Sequence, residues 1–150
     1  MFNICVVGHG NYPDGMVSAL KLLAGTDENI MKFNLNQELT HAQYEEQLSH
    51  YLTENDNVIV FADMTGGAPH QIASRLILEK GKGTQYIISS APLNLMLDIL
   101  MKVKMDLLSV ATISEDLQHS LAEAKEMMLL LPEGPVIEQA DDGFCEEEGI

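Results

Sequence analysis

The stretch Phe2-Asn3-Ile4-Cys5-Val6-Val7-Gly8-His9-Gly10-Asn11-Tyr12-Pro13-Asp14-Gly15 runs from an apolar, partly β-branched segment into glycines, a histidine and a proline. An apolar run of that length ending at glycine reads as a buried strand, here Phe2–Val7. Beyond the loop, Met16, Ala19, Leu20 and Leu23 recur at the three-to-four spacing of one helix face, which predicts a helix over Gly15–Ala24. Strand, loop and helix in that order form the repeating unit of a parallel sheet.

The unit recurs outward from this stretch. Ile30–Leu35, Val58–Ala62 and Gln85–Ser89 are short apolar runs bounded by turn-forming residues, and read as three more strands. Helical spacing fills Thr40–Leu52 and Pro69–Glu79, with Thr40 and Gln43 forming a capping box and Pro69 suited to a first turn. Gly25 and Gly81 stand where helices should stop. A fourth helix is expected over Leu93–Lys102, and a fifth from Ser114–Glu115 through Ala122–Glu126. Met127–Leu131 reads either as the end of the fifth helix or as a strand.

Such alternation implies an α/β domain: a doubly wound, mostly parallel four-stranded sheet with helices on both faces and right-handed crossovers. With the strand order 2-1-3-4, the winding reverses between strands one and three and opens a crevice at their carboxyl ends. The loops Gly8–Pro13 and Asp63–Pro69 would then face each other.

Composition bounds the function. At 150 residues and 46% hydrophobic content, one domain is expected. After Pro132 the chain turns to Gly, Pro, Asp and Glu, so residues 132–150 are expected to form an acidic flexible tail. Eight basic residues against 23 acidic ones leave a formal charge of −15, which would repel nucleic acid and an anionic membrane alike. The two cysteines, Cys5 and Cys145, have neither metal-ligand nor disulfide spacing, as a reducing cytoplasm allows. No run approaches the roughly 20 apolar residues of a membrane span, and the short Phe2–Val7 run has no basic segment before it, so neither anchor nor targeting signal is expected. The segment Leu93–Met101 is apolar on nearly every side, which points to a dimer contact or to a fully covered core helix.

Two loops carry the candidate chemistry. His9 follows a buried strand and is flanked by Gly8 and Gly10, which leave its ring approachable. A neutral imidazole can attack phosphorus through one nitrogen while the other donates a hydrogen bond. The plainer alternative is a loop histidine satisfied by backbone. Asp63, leaving the third strand, is placed to accept from one ring N–H of His9, fix the tautomer and turn the other nitrogen outward. Hydrogen-bond geometry would set that separation at about 2.6–3.2 Å. Gly66 and Gly67 bring backbone N–H groups to a helix N-terminus, where the dipole favours a phosphate; a capping aspartate and a tight turn are the alternatives for this loop.

Other chemistries lack their spacing. Gly8-His9-Gly10 is neither a Walker loop nor a dinucleotide fingerprint. His41, His50 and His119 fall on helices as solvent-facing residues, and no metal or cofactor is expected. His70 reads as a surface residue or part of a docking rim.

Taken together, Ile4-Cys5-Val6-Val7-Gly8-His9-Gly10 with Asp14-Gly15-Met16, and Val58–Ala62 with Asp63-Met64-Thr65-Gly66-Gly67-Ala68-Pro69, resemble the mannose/fructose/sorbose-family enzyme IIA domain of the sugar phosphotransferase system over roughly residues 1–131. The resemblance implies that His9 is phosphorylated and Asp63 orients it, with the loop Thr65, Gly66, Gly67 and Ala68 binding the phosphoryl group. It implies the phosphocarrier protein HPr as donor, enzyme IIB as acceptor, and the membrane subunits IIC and IID as indirect partners. It also implies a homodimer exchanging an antiparallel C-terminal edge strand, for which Met127–Leu131 is the candidate. The chain departs from the family pattern at Ala68, where Ser or Thr is usual, at His70, where Phe is common, and at Ser89-Ser90-Ala91-Pro92-Leu93-Asn94, where Gly-Val-Asn-Leu-Pro is usual. The missing hydroxyl at Ala68 motivates a second expectation, a regulatory module that is phosphorylated without feeding transport. A small-molecule binding domain of flavodoxin-like form is a third.

Overall fold

Four strands, β1 (Asn3–His9), β2 (Ile30–Leu35), β3 (Val58–Ala62) and β4 (Gln85–Ile88), pair in parallel in the order β2-β1-β3-β4 in the computed structural model, which describes residues 1–133. The expected acidic tail, apart from Pro132 and Glu133, lies outside the described residues. Register explains the central position of β1: Cys5 lies beside Met31 on one side and Val60 on the other.

The pleat sends alternate side chains to opposite faces, and each face has its own core. Ile4 of β1 with Ile59 and Phe61 of β3 face helices α1 (Tyr12–Ala24), α4 (Leu93–Lys104) and α5 (Ile113–Lys125). Cys5, Val7, Val58, Val60 and Ala62 face α2 (His41–Glu54) and α3 (Ala68–Lys80), meeting Tyr44, Leu48, Ile72 and Leu76. Strand β3 is buried at all five residues, as a central parallel strand covered on both faces must be.

Local chemistry sets the helix ends. Thr40 accepts from the N–H of Gln43 at 3.1 Å while the Gln43 side chain accepts from the N–H of Thr40 at 2.9 Å, a complete capping box. Gly25 ends α1 in the left-handed conformation at φ 84°, which glycine adopts without steric cost. Buried Gln85 donates to the carbonyls of Leu52 and Asn55, both at 2.7 Å, tying β4 to the end of α2.

One expectation, the start of the first helix, needs correction. Helix α1 starts at Tyr12, three residues before the expected Gly15, because Pro13 occupies its first turn and the side chain of Asp14, in the same turn, is tied to β2 by Asn34 at 2.8 Å and Lys32 at 3.2 Å. Its buried stripe is therefore Pro13, Val17 and Leu20, and Leu23 is exposed. Helix α4 packs against α5 on its outer side, with Ile113, Leu117 and Leu121 in the same core, while Leu97 and Met101 remain part-buried along the groove between the two helices. Residues 127–131 lie beyond the end of α5, which closes the helix alternative for them, and all five side chains, Met127 through Leu131, are exposed in the single chain.

Candidate functional site

The winding reversal places the ends of β1 and β3 side by side, and His9 and Asp63 are the residues that leave them. The N–H of Asp63 donates to the carbonyl of Val7 at 3.2 Å, which continues the pairing one step past the strands. A single carboxylate oxygen, Asp63 Oδ2, lies 2.7 Å from His9 Nδ1 and accepts from the backbone N–H of His9 at 2.9 Å. The other oxygen accepts from the N–H of Met64 at 2.8 Å. Gly8 makes this approach possible: a Cβ there would lie 3.1 Å from both Cβ and Cγ of Asp63 and 3.0 Å from the Tyr12 ring.

Electrostatics follow from this arrangement. Burial works to raise the pKa of Asp63, but the backbone and ring hydrogen bonds from His9, its charge and the N–H of Met64 together hold the carboxyl below the ordinary aspartate range. An ionised carboxylate can only accept, so the proton of the neutral ring resides on Nδ1 and Nε2 carries the lone pair. The His9 side chain is 47% exposed, so this lone pair is reachable from outside, whereas the Asp63 side chain is 10% exposed.

Beneath the ring lies the entrance to α3. A Cβ on Gly67, the N-cap residue, would sit 2.8 Å from His9 Cε1 and 3.6 Å from Nε2, so the imidazole rests on glycine backbone. Helix α3 has no side-chain cap and Pro69 has no N–H; among the described residues, no acceptor takes the N–H of Ala68 or of His70. Unpaired donors at a helix start, beside a ring nitrogen with a free lone pair, form a place where an anion bonded to that nitrogen would be held.

Of the expected phosphate-binding residues, Gly67 and Ala68 lie at this entrance, while Gly66 and Thr65 are engaged elsewhere. The Gly66 N–H donates to His70 Nδ1 at 3.0 Å. The Thr65 hydroxyl lies 2.6 Å from Ser89 Oγ and 2.9 Å from Ser90 Oγ, and the Thr65 N–H donates to Ser90 Oγ at 3.0 Å. Ser90 adopts φ 53°, outside the comfortable range of a non-glycine residue, and this conformation accompanies the hydroxyl contacts with the β3 loop. The sequence reading placed Ser89 at the end of the fourth strand and Ser89-Ser90 in a departure from a pattern; β4 ends at Ile88, and both serines lie directly after the strand neighbouring β3. It missed Gln71 altogether, whose side chain donates to the Gly66 carbonyl at 2.7 Å.

The remaining histidines lie apart. His50 and His119 pair with Glu54 and Glu123 one turn along their own exposed helix faces, and His41 is exposed at the start of α2. Among the described residues, no three His, Cys, Asp or Glu side chains gather where they could hold a metal ion, and no helix is long and apolar enough to cross a membrane.

Comparisons with known proteins agree with this architecture. The family model EIIA-man, described as PTS system fructose IIA component, matches residues 3–118. The crystal structure of phosphotransferase system component EIIA from Streptococcus agalactiae is 25% identical, with a TM-score of 0.72 over 83% of this chain and 95% of that one. The mannose/sorbose specific IIA subunit of the phosphotransferase system from Enterococcus faecalis is 15% identical, with a TM-score of 0.67 over 89% and 98%. A sigma-54 interaction domain protein from Enterococcus faecalis shares the fold at 18% identity, with a TM-score of 0.65 over 85% and 97%. No curated protein sequence matches the chain.

Proposed function

We propose, because this chain belongs to the EIIA-man family of phosphotransferase-system IIA components, that it is a cytoplasmic phosphocarrier: it accepts a phosphoryl group on His9 Nε2 from phospho-HPr and passes it to enzyme IIB for sugar uptake. The observation that carries this reading is the 2.7 Å contact of His9 Nδ1 with a depressed-pKa carboxylate, which leaves the lone pair on Nε2 beside the unpaired N–H groups of α3.

In the accepting step, the Nε2 lone pair forms a bond to phosphorus as the phosphorus–nitrogen bond of the donor phosphohistidine breaks, and that electron pair returns to the donor ring. Positive charge develops on the His9 ring and is stabilised by Asp63, which keeps the Nδ1 proton in place throughout. The N–H groups of Ala68 and His70 at the helix entrance meet the phosphoryl oxygens. Donor and acceptor are both histidines, so the step is near balance, and the protein contributes position and charge.

Incubation with enzyme I, HPr and phosphoenolpyruvate tests the reading. An acid-labile phosphoryl adduct that disappears in His9→Ala is expected; absence of the adduct, or its persistence in that variant, rejects it.

Ala68 favours a second reading, a regulatory module that is phosphorylated at His9 but does not feed transport, since the hydroxyl usual at this position is missing. The fold alone is compatible with it, being shared with a sigma-54 interaction domain protein. Stable labelling at His9 without transfer to a cognate enzyme IIB would decide for it.

The assembly that accompanies the first reading is a homodimer. Five consecutive exposed apolar side chains, Met127 to Leu131, supply the segment that a neighbouring sheet edge would pair with, as the family resemblance implies.

A further inference from the structure

The peptide groups on either side of Gly66 are each held by a side chain from the first turns of α3. His70 Nδ1 accepts the N–H of Gly66 at 3.0 Å, fixing the Thr65–Gly66 peptide plane. Gln71 Nε2 donates to the carbonyl of Gly66 at 2.7 Å, fixing the Gly66–Gly67 plane. Both planes would otherwise be loosely held. Gly66 adopts φ 89° with open space where a Cβ would sit, Gly67 follows without a Cβ, and the backbone contact within these two planes, from the Gly67 N–H to the Met64 carbonyl, is long at 3.4 Å. The next peptide, Gly67–Ala68, is by contrast held by the Gln71 N–H on the Gly67 carbonyl at 2.9 Å. A Gly-Gly turn is among the easiest places in a chain for a peptide plane to flip.

A flip at this turn would reach the chemistry. Gly67 backbone lies directly under the His9 ring, and the first free donor of α3, the Ala68 N–H, comes from the very next peptide. Where a serine or threonine hydroxyl at position 68 is absent, the backbone donors are what remains to hold a phosphoryl group, and their aim depends on this turn.

We infer that His70 and Gln71 are positioning residues: they pin the two Gly66 peptide planes so that the α3 entrance stays aimed at the group carried by His9 Nε2. The inference rests on the phosphocarrier reading of His9. Because His70 Nδ1 acts as an acceptor, its ring in this geometry carries its proton on Nε2. The property that matters is an acceptor atom at that place, not aromaticity. An asparagine side-chain oxygen reaches the same place as Nδ1, while phenylalanine keeps the ring and loses the acceptor.

The full chain and its His70→Phe, His70→Asn and Gln71→Leu variants should be phosphorylated by phospho-HPr in single turnover, with the rate followed against HPr concentration and folding checked by thermal melts. His70→Phe and Gln71→Leu are expected to lower the limiting rate roughly tenfold, through misplaced donors, with little change in the HPr concentration giving half of that rate. His70→Asn should stay within about twofold of the parent, as an acceptor-retaining variant must. The Gly66 and Gly67 amide resonances should shift in His70→Phe and stay near their parent positions in His70→Asn. A parent chain that labels normally while His70→Phe labels at the same rate overturns the inference and leaves the carrier reading intact. Equal loss in His70→Phe and His70→Asn also overturns it, since the acceptor would then be irrelevant. A parent chain that takes no phosphoryl group overturns the carrier reading, and the inference with it.

Discussion

One oxygen of Asp63 receives two hydrogens from one residue: Oδ2 accepts the backbone N–H of His9 at 2.9 Å and the ring Nδ1–H of the same histidine at 2.7 Å. The two bonds close a small ring through the His9 backbone and side chain, so the carboxylate sets the direction of the imidazole as well as its tautomer. Asp63 is fixed in turn by the N–H of Met64 on its other oxygen.

Asp63→Asn should therefore impair phosphorylation far more than folding. The amide has nearly the shape of the carboxylate but no charge, and it can turn its NH₂ toward Nδ1, which favours the wrong tautomer and takes the lone pair off Nε2. A loss on the order of 10²- to 10⁴-fold in single-turnover labelling at His9 is expected, the upper figure being the cost of the analogous change in a serine-protease triad. A labelling rate within threefold of the parent would remove Asp63 from the mechanism.

The same contacts predict an acid limb in stability. The pKa of Asp63 is depressed in the folded chain, so its contribution is complete above the ordinary aspartate value of about 3.9 and is lost as pH falls through the lower folded value. Urea unfolding of the parent and of Asp63→Asn should differ by a constant amount at neutral pH, and the two should converge as pH drops below 4. A difference that stays constant down to the acid transition would contradict this.

Gly67→Ala isolates the floor beneath the ring. The backbone at Gly67, φ −73°, suits any residue, so the helix should form as before. The new Cβ would lie 2.8 Å from His9 Cε1 and 3.0 Å from Met64 Cγ, so the ring must move, and its bond to Asp63 is the contact that gives way. Labelling should fall by about 10²-fold, the cost of displacing a reacting group by about 1 Å. The melting temperature should change little. An Asp63-dependent His9 ring resonance that is unchanged in this variant would refute the steric account.

How far the sequence could lead is clear from particular residues. The four strands stood out because each is a short apolar run closed by turn-forming residues, and the capping box at Thr40 marked the start of α2 to the residue. The start of α1 was legible only in part, because Asn11-Tyr12-Pro13 has loop composition, and Pro13 in a first turn resembles Pro13 in a loop. The juxtaposition of His9 with Asp63 followed from strand order, which patterning suggests and register fixes. What stayed hidden depends on conformation that composition does not encode. The bond from Gly66 to His70 needs the positive φ of Gly66, and the contact of Ser90 with Thr65 needs Ser90 itself at φ 53°.

Position 68 offers a gain rather than a loss. Ala68 is the first residue of α3, packed on its inner side against the core that α2 and α3 cover and part-exposed beside the donors of the helix entrance, so a hydroxyl carried on its exposed side would neighbour the carried group. Ala68→Ser should add one hydrogen bond to the carried group, worth about 1 kcal/mol or about fivefold. The measurement is the hydrolysis half-life of phospho-His9, which should lengthen, with transfer to enzyme IIB measured in parallel. No change in half-life would mean that position 68 does not face the carried group.

The exposed run at residues 127–131 bears on assembly. It begins beside α4, where the Asn94 side chain reaches the Met127 sulfur at 3.3 Å, and continues outward with Met128, Leu129, Leu130 and Leu131 each more than three-quarters exposed. Leaving four such side chains in water forgoes roughly 1.5–3 kcal/mol apiece, which a neighbouring copy would recover by burying them. Sedimentation of the full chain should show a dimer, and the double substitution Leu129→Asp with Leu130→Asp should give a folded monomer, because two charges in a buried apolar strand cost more than the contacts return. A monomeric parent, or a variant that still dimerises, would place the interface elsewhere. A monomeric variant that still labels at His9 at the parent rate would further show that the His9–Asp63 pair is complete within one chain.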